Sequence, residues 1–210
     1  MFEIKKINKL TACILISVLM LAPIQAFAQS GTHTVAAGDS MWKIAVRYQI
    51  GVSELIKANP QITNPSQIYP GQKINIPSID DVKALEQKVA ALVNQQRANN
   101  GLPALKFNWE VSRVARYKSQ DMIDKKYFDH QSPTYGSPFN MMENFGIKFS
   151  AAGENIAYGQ KTPEAVMNSW MNSPGHRSNI LSPTYNQIGV GVAKSANGTF
   201  YWTQMFIKSP

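Results

Sequence analysis

The sequence predicts an α+β protein made of two small domains, and three observations support this prediction. The chain has 210 residues, of which 44% are hydrophobic and 16% charged, a composition that suits ordinary globular cores. Between residues 32 and 77, two short helical patterns lie between two strand patterns. In the rest of the chain, helical patterns come first and strand patterns are interleaved later.

The amino terminus has the pattern of a secretory signal peptide. Three lysines within the first nine residues precede an uncharged, mostly apolar run over 10–22. This run is shorter than the roughly 20 residues that a membrane-spanning helix needs. Ala26-Phe27-Ala28 fits a small-x-small cleavage site. We therefore expect removal of residues 1–28, export, and no transmembrane anchor in the mature protein.

Cysteine content and charge exclude several classes of protein. Cys13 is the single cysteine, so the mature chain has neither a disulfide framework nor a cysteine-ligated zinc site. A net charge of +8 favours anionic partners such as wall polymers or lipids. The sequence shows no stripe of aromatic and basic residues, so nucleic acid is not expected as a partner.

Residues 32–77 have the order β-α-α-β. Strand composition is found at 33–35 and 73–77, and the two helical runs lie between these segments. Ser40 is expected to cap the first helix and Ser53 the second, because serine side chains accept hydrogen bonds from the first turn of a helix.

This segment resembles a LysM domain along its whole length. The matching positions are Val35, Gly38, Asp39, Ser40, Trp42, Ile44, Ala45, Asn59, Pro60, Ile68, Pro70, Gly71, Ile74, Ile76 and Pro77. The resemblance implies binding of N-acetylglucosamine-containing glycans, such as peptidoglycan or chitin, in a shallow groove between two loops. By position, the walls of this groove are Gly38, Asp39, Ser40 and Met41 on one side and Asn59, Pro60, Gln61 and Ile62 on the other.

The same loop residues also suit a purely structural role, since Gly, Asp, Asn and Pro favour turns and caps. The two roles are compatible, because the backbone of the loops would shape the groove. We expect Trp42 and Tyr48 in the core rather than as platforms for sugar rings.

Residues 78–81 are predicted as a short polar linker and residues 82–210 as the second domain. Apolar residues recur at helical spacing from Val82 until Asn99-Asn100-Gly101. Asn108 is expected to cap a second helix, and Thr162-Pro163-Glu164 to begin a third.

Strand composition is found at 155–158, 187–193 and 199–207, with a tight turn at Asn197-Gly198. Helices followed by interleaved strands predict a three-layer sandwich.

Two histidines and one glutamate stand out in the second domain, which lacks nucleotide-binding, HExxH and Gly-x-Ser-x-Gly motifs. His130 and His176 lie in turn-rich segments that are expected to hold side chains near the surface. Glu154 lies between them, in a Gly-Glu-Asn segment.

With the strand around 188–192 and the closing 201–206 segment, these residues resemble the CAP superfamily of cysteine-rich secretory, antigen 5 and pathogenesis-related proteins. The resemblance covers about 82–207 and is strongest to the cysteine-free branch common in endospore-forming bacteria. It implies an α-β-α sandwich in which two histidines and two acidic residues surround a cleft able to hold a divalent metal.

By motif, His130 and His176 match the two histidines, and Glu154 matches one acidic residue. The second acidic residue is missing, because Asn172 and Ser173 occupy that region. Glu143 is the nearest spare carboxylate, but it belongs to no matching motif.

Three roles remain open for His130, Glu154 and His176. They could bind Zn²⁺ with water in an open fourth position, or they could act as general acid and base. In the third interpretation they only hydrogen-bond to nearby loops.

The leading functional prediction is a secreted protein of the cell wall or spore envelope that binds peptidoglycan and presents a cleft of unknown ligand. One alternative is a hydrolase of peptidoglycan or protein, with the three residues as its catalytic or metal-binding groups. A further alternative is a non-catalytic assembly factor of the envelope or spore layers.

Overall fold

The computed structural model describes residues 29–210. The predicted signal peptide, residues 1–28 with Cys13, lies outside the described residues. Within the described range, no helix combines the length and apolar character needed to cross a membrane.

The first domain places two helices against a two-stranded antiparallel sheet. Strand β1 (Gln29–Thr34) pairs with β2 (Lys73–Pro77), and α1 (Met41–Tyr48) and α2 (Val52–Lys57) lie between them in sequence. Ser40 caps α1 as predicted, since its hydroxyl accepts a hydrogen bond from the third residue of the helix. The sequence therefore determined the order of elements in this domain.

Two predictions about these helices are wrong. Ser53 does not cap α2, because the helix begins at Val52 and its N-cap residue is Gly51. Trp42 does not lie in the core but is 56% exposed. The buried stripe of α1 contains Met41, Ile44 and Ala45, and the neighbouring position 42 therefore faces away from it.

Tyr48 is half-buried and packs against the core of the first domain, as expected. Its ring also makes an edge contact with His33 of β1.

The second domain is the predicted α+β sandwich, with a four-stranded sheet in the order β3-β5-β6-β4. Its elements are α3 (Asp80–Asn99), β3 (Lys106–Phe107), α4 (Trp109–Asp124), α5 (Pro138–Asn144), β4 (Ala151–Tyr158), α6 (Pro163–Met171), α7 (Pro174–Ile180), β5 (Gln187–Lys194) and β6 (Phe200–Lys208). Strands β4, β5 and β6 are antiparallel, and the short β3 runs parallel to β5.

The helices cover both faces of this sheet. Helix α4 packs on β5 and β6, whereas α3, α6 and α7 bury Trp170 and Trp202 against the opposite face. Asn108 and Thr162 cap α4 and α6 as predicted. Helices α5 and α7 and strand β3 were not predicted.

Helix α4 lies unusually close to the sheet, because β5 carries glycine at the two positions beneath it. A Cβ atom at Gly189 would overlap the backbone between Val111 and Ser112, and one at Gly191 would overlap that between Ala115 and Arg116. The sequence Ile-Gly-Val-Gly-Val thus alternates large residues on one face with bare backbone on the other.

The two domains are in direct contact. Asp80 and Asp81, predicted as part of the linker, form the first turn of α3. Val82 in the same turn packs against the hydrophobic cores of both domains. Arg116 of α4 lies 2.7 Å from buried Glu86 of α3 and 3.5 Å from Glu54 of the first domain.

We predict that Gly191→Ala destabilises the protein by about 1–3 kcal/mol or more, because its Cβ must displace helix backbone rather than a movable side chain. Urea unfolding measures the change. Gly175→Ala is the control, since nothing lies within 4 Å of its added Cβ and alanine favours the helix. Equal stabilities of the two variants would contradict the close approach of α4.

We predict that Arg116→Ala lowers the free energy of unfolding more at pH 8 than at pH 5.5. Burial raises the pKa of Glu86 from 4.5 to about 7, so this carboxyl is mostly neutral at pH 5.5 and charged at pH 8. Removing its partner therefore leaves a buried, unpaired charge mainly at the higher pH, where we expect a loss of about 3–5 kcal/mol.

The matched control is Lys88→Ala, which breaks the exposed pair between Lys88 and Glu164. We expect this variant to lose less than about 1 kcal/mol at both pH values. Urea unfolding at the two pH values compares the variants. A loss for Arg116→Ala that is larger at pH 5.5 would contradict the proposed role of Glu86.

Candidate functional site

The candidate site lies along β4, the edge strand of the second domain's sheet. Glu154 belongs to this strand, His130 to the loop between α4 and α5, and His176 to α7. His176 is therefore on a short helix, not in the irregular turn that the sequence suggested. Its helix begins at Pro174, a residue well suited to the first turn of a helix.

His130 and Glu154 form a direct pair. The Nδ1 atom of His130 lies 2.7 Å from Oε1 of Glu154. The Glu154 side chain is only 1% exposed, whereas that of His130 is 53% exposed. The pair thus consists of a buried carboxylate and an imidazole that remains accessible from solvent.

The loop that carries His130 is held by two charged residues of α4. Lys118 is fully buried, and its Nζ donates hydrogen bonds to the carbonyl oxygens of Asp129 at 2.7 Å and of His130 at 2.8 Å. Asp121 accepts hydrogen bonds from the hydroxyls of Tyr127 and Ser132, each at 2.7 Å. These contacts fix the backbone on both sides of His130.

Sequence reasoning missed Lys118 and Asp121. The available signal was a lysine and an aspartate one turn apart in a helix that also carries apolar residues at helical spacing.

Helix α7 is fastened to β4 by two asparagines. The side-chain amide of Asn155 donates to the carbonyl oxygen of His176 at 3.1 Å. The side-chain amide of Asn179 donates to the carbonyl oxygen of Glu154 at 3.2 Å and to Oδ1 of Asn155 at 2.9 Å. The motif Gly-Glu-Asn therefore supplies both the carboxylate and the residue that positions the second histidine.

The environment shifts the pKa values of the two histidines in opposite directions. The hydrogen bond to Glu154 raises the pKa of His130, and the charge of this carboxylate adds to the effect. Burial lowers the pKa of His176, and the nearby charge of His130 lowers it further. Near neutral pH, the His130 ring is therefore protonated in a larger fraction of molecules than the His176 ring, so His130 carries a proton to donate while His176 is mostly neutral and free to accept one.

The geometry does not favour a three-ligand metal centre. Among residues 29–210, no group of three or more His, Cys, Asp or Glu side chains is placed to hold a metal ion. Nδ1 of His130 is occupied by Glu154, although Oε2 of Glu154 is buried without a hydrogen-bond partner in the described structure. Zinc binding by His130, Glu154 and His176 stays a prediction.

The position of the missing acidic residue is taken by uncharged groups. Asn172 ends α6 and donates a hydrogen bond to Asn168. Ser173 lines a surface groove together with His176. Glu143 lies on α5 and lines a separate groove beside Lys148, so it does not replace the missing group.

In the first domain, several side chains predicted to bind glycan instead form hydrogen bonds within the domain. Asp39 accepts a hydrogen bond from the backbone N–H of Ala36 and lies 2.8 Å from the ring of His33. The amide of Asn59 donates to the carbonyl oxygens of Leu55 and Asn75. These side chains hold the loops in place, as the structural interpretation of the sequence suggested.

Met41 and Ile62 belong to the core, so they too are turned away from solvent. The exposed members of the predicted set are Gly38, Ser40, Pro60 and Gln61.

Sequence reasoning also missed polar residues that extend the second loop. A groove of about 290 Å³ lies beside Gln61. It is also lined by Asn64, Gln67, Gln72 and the exposed ring of Tyr69. The signal for Asn64 and Gln67 was a series of amide side chains between Asn59-Pro60 and Pro70-Gly71.

Comparison with known proteins identifies both domains. The model of the cysteine-rich secretory protein family (CAP) matches residues 90–206, and the LysM domain model matches residues 33–77. These matches agree with the two folds described above.

Three curated relatives are each similar to part of the chain. The uncharacterized protein YkwD of Bacillus subtilis is 58% identical over 126 residues, which are 60% of this chain and 48% of YkwD. SpoIVD-associated factor A of B. subtilis is 52% identical over 46 residues, 22% of this chain and 12% of that protein. An endolysin of Bacillus phage B103 is 34% identical over 62 residues, 30% and 24% of the respective chains. This chain thus spans half or less of each relative.

A solved structure gives the same assignment. An extracellular protein containing an SCP domain from Bacillus anthracis is 33% identical, with a TM-score of 0.58 over 67% of this chain and 47% of that one. Because the CAP model matches more than half of the sequence, the chain belongs to the cysteine-rich secretory protein family, with a LysM domain preceding its CAP domain.

Proposed function

We propose that this chain is an exported protein of the cell wall or spore envelope that binds peptidoglycan through its LysM domain. The observation that carries the proposal is the LysM match over 33–77, which covers the first domain almost entirely. The related phage endolysin supports a cell-wall glycan as the ligand, and SpoIVD-associated factor A supports a spore setting. After removal of residues 1–28, which carry three lysines and one glutamate, the remaining net charge of +6 would add attraction to anionic wall polymers.

The structure suggests how the LysM loops would hold the sugar. Four predicted side chains are fixed by the fold, so binding would use backbone groups of the loops and the exposed residues Gly38, Ser40, Pro60 and Gln61. Rigid loops suit this task, because they lose little conformational freedom when the glycan binds. The CAP domain would then be held against the wall with its cleft available.

We predict that Gly38→Asn weakens binding of the full chain to insoluble peptidoglycan by roughly tenfold, a change of about 1.4 kcal/mol. Gly38 has a φ of +83°, where a side chain is strained but asparagine is accommodated better than most residues, and its Cβ would enter open space at the proposed groove. The new side chain should therefore obstruct the glycan, with only a local cost in backbone strain. Sedimentation of the protein with purified peptidoglycan measures the affinity.

Lys73→Ala is the control for this experiment, because it removes an exposed positive charge from β2 and leaves the loops unchanged. We expect a small loss of affinity that disappears at high salt, where surface charges are screened. If both variants bind as the wild type does, the proposed groove is wrong.

A second candidate function is acid-base hydrolysis of the wall at the CAP cleft. The specific observation in its favour is the opposite pKa shift of His130 and His176, which would provide a proton donor and a proton acceptor at the same edge of the sheet. Glu154 would hold the His130 ring and stabilise its protonated form. This candidate requires turnover, whereas the binding function does not.

We predict that the His130 ring titrates above pH 6.5 and the His176 ring below it, as measured by NMR of the imidazole signals. Glu154→Gln should lower the pKa of His130, because the neutral amide no longer stabilises the imidazolium. Glu143→Gln, a change at an exposed carboxylate on α5, should leave both titrations unchanged.

A His176 midpoint above that of His130 would contradict the proposed pair. Release of soluble fragments from purified wall then tests the hydrolase candidate itself. Loss of this release in His176→Ala would support it, and absence of release by the wild type would reject it.

A further inference from the structure

Three aromatic side chains form a connected cluster beside the CAP cleft. The rings of Phe128 and Tyr158 lie 4.7 Å apart in an edge-to-face arrangement. Tyr158 also stacks on Tyr201 with 5.7 Å between ring centroids and 22° between planes. We call Phe128, Tyr158 and Tyr201 the aromatic platform.

The exposure of this platform requires an explanation. Phe128 is 45% exposed and Tyr158 is 53% exposed, and neither ring belongs to the hydrophobic core clusters of the second domain. A single exposed hydrophobic side chain is common on soluble proteins. Exposed rings that touch one another form a contiguous apolar surface, and such surfaces mark sites of interaction.

The platform continues from the His-Glu pair along the same strand. Glu154 and Tyr158 are four residues apart on β4, so their side chains leave the same face of the sheet about 13 Å from each other. Phe128 precedes His130 by two residues, and the loop held by Lys118 therefore fixes both. An elongated ligand on the platform would extend towards the pair.

Polar groups surround the rings. A groove of about 240 Å³ beside Phe128 and Tyr158 is also lined by Gln160, Ser169, Ser173 and His176. The Oε1 atom of Gln160 is buried and has no hydrogen-bond donor within the described structure. The side-chain amide of the same residue donates a hydrogen bond to the hydroxyl of Ser169 at 3.4 Å, which holds this polar wall of the groove in place.

We infer that the aromatic platform stacks against pyranose rings of an acetamido-sugar chain and guides this chain into the CAP cleft. The inference rests on the proposed function, because it assigns to the CAP domain the same glycan that the LysM domain would bind. The C–H face of a pyranose packs on the electron-rich face of an aromatic ring, and its hydroxyl and acetamido groups supply the donors and acceptors that the groove needs. A purely apolar chain would cover the polar side chains that line the groove without offering them partners.

The arrangement of the protein favours this ligand. A polymer held by the LysM domain is present at high effective concentration near the CAP domain of the same chain. Even a weak platform would then be occupied.

NMR of the ¹⁵N-labelled chain from Gln29 to Pro210 tests the inference, with the soluble tetramer of β-linked N-acetylglucosamine as the probe. The backbone amide of Gly159 and the side-chain amide of Gln160 report on the platform. The amides of Gly38 and Gln61 report on the LysM loops, so each site gives its own Kd. The spectrum of each variant also shows whether it is folded.

Tyr158→Leu and Phe128→Ala should weaken binding at the platform roughly threefold to tenfold, the range expected for loss of one aromatic contact. Tyr158→Phe should bind as the wild type does, because it keeps the ring. Phe139→Ala is the matched control for Phe128→Ala, since Phe139 is 44% exposed on α5 and lies outside the groove.

Each outcome separates the inference from the proposed function. If the LysM amides shift and the platform amides do not, the platform inference is wrong and LysM binding stands. If neither set shifts, the proposed function fails and the inference fails with it. If Tyr158→Leu binds the tetramer as tightly as the wild type, the surface recognises apolar groups rather than sugar rings, and the inference is overturned.

Discussion

The close approach of α4 to β5 is the constraint on which the rest of the CAP domain depends. Two glycines allow helix backbone to lie directly on strand backbone, and the contact would be lost with any larger residue at either position. The helix then brings buried polar groups to the sheet, such as Ser119, whose hydroxyl lies 2.9 Å from that of Thr203. The position of α4 thereby determines where its charged residues lie.

These charged residues contact both the LysM domain and the loop that carries His130. Arg116 binds Glu86 and Glu54, and so ties the CAP domain to the LysM domain. Lys118, two residues later, holds the loop of His130. Burying such charges is unfavourable unless each has partners, which makes the arrangement highly specific. A disturbance of α4 should therefore affect both the domain contact and the cleft.

The β4 edge of the sheet is covered by side chains instead of being left open. Side chains from α6, α7 and the following loop donate to the outward carbonyl oxygens of β4, namely Trp170 to Ile156, Asn179 to Glu154 and Tyr185 to Ala152. These contacts block pairing with a foreign strand. They also leave the cleft and the aromatic platform on a rigid strand, where a glycan would meet fixed groups.

The sequence by itself determined the two domains, the caps at Ser40, Asn108 and Thr162 and the main strands, because these features depend on residues within a few positions of one another. The prediction that His130, Glu154 and His176 belong to one site came only from the resemblance of their motifs to a known family. Only the tertiary structure revealed the exposure of Trp42, the buried roles of Lys118 and Asp121 and the union of Phe128 with Tyr158 and Tyr201. Their environments are made by segments distant in sequence, and local periodicity carries no information about which distant segments meet.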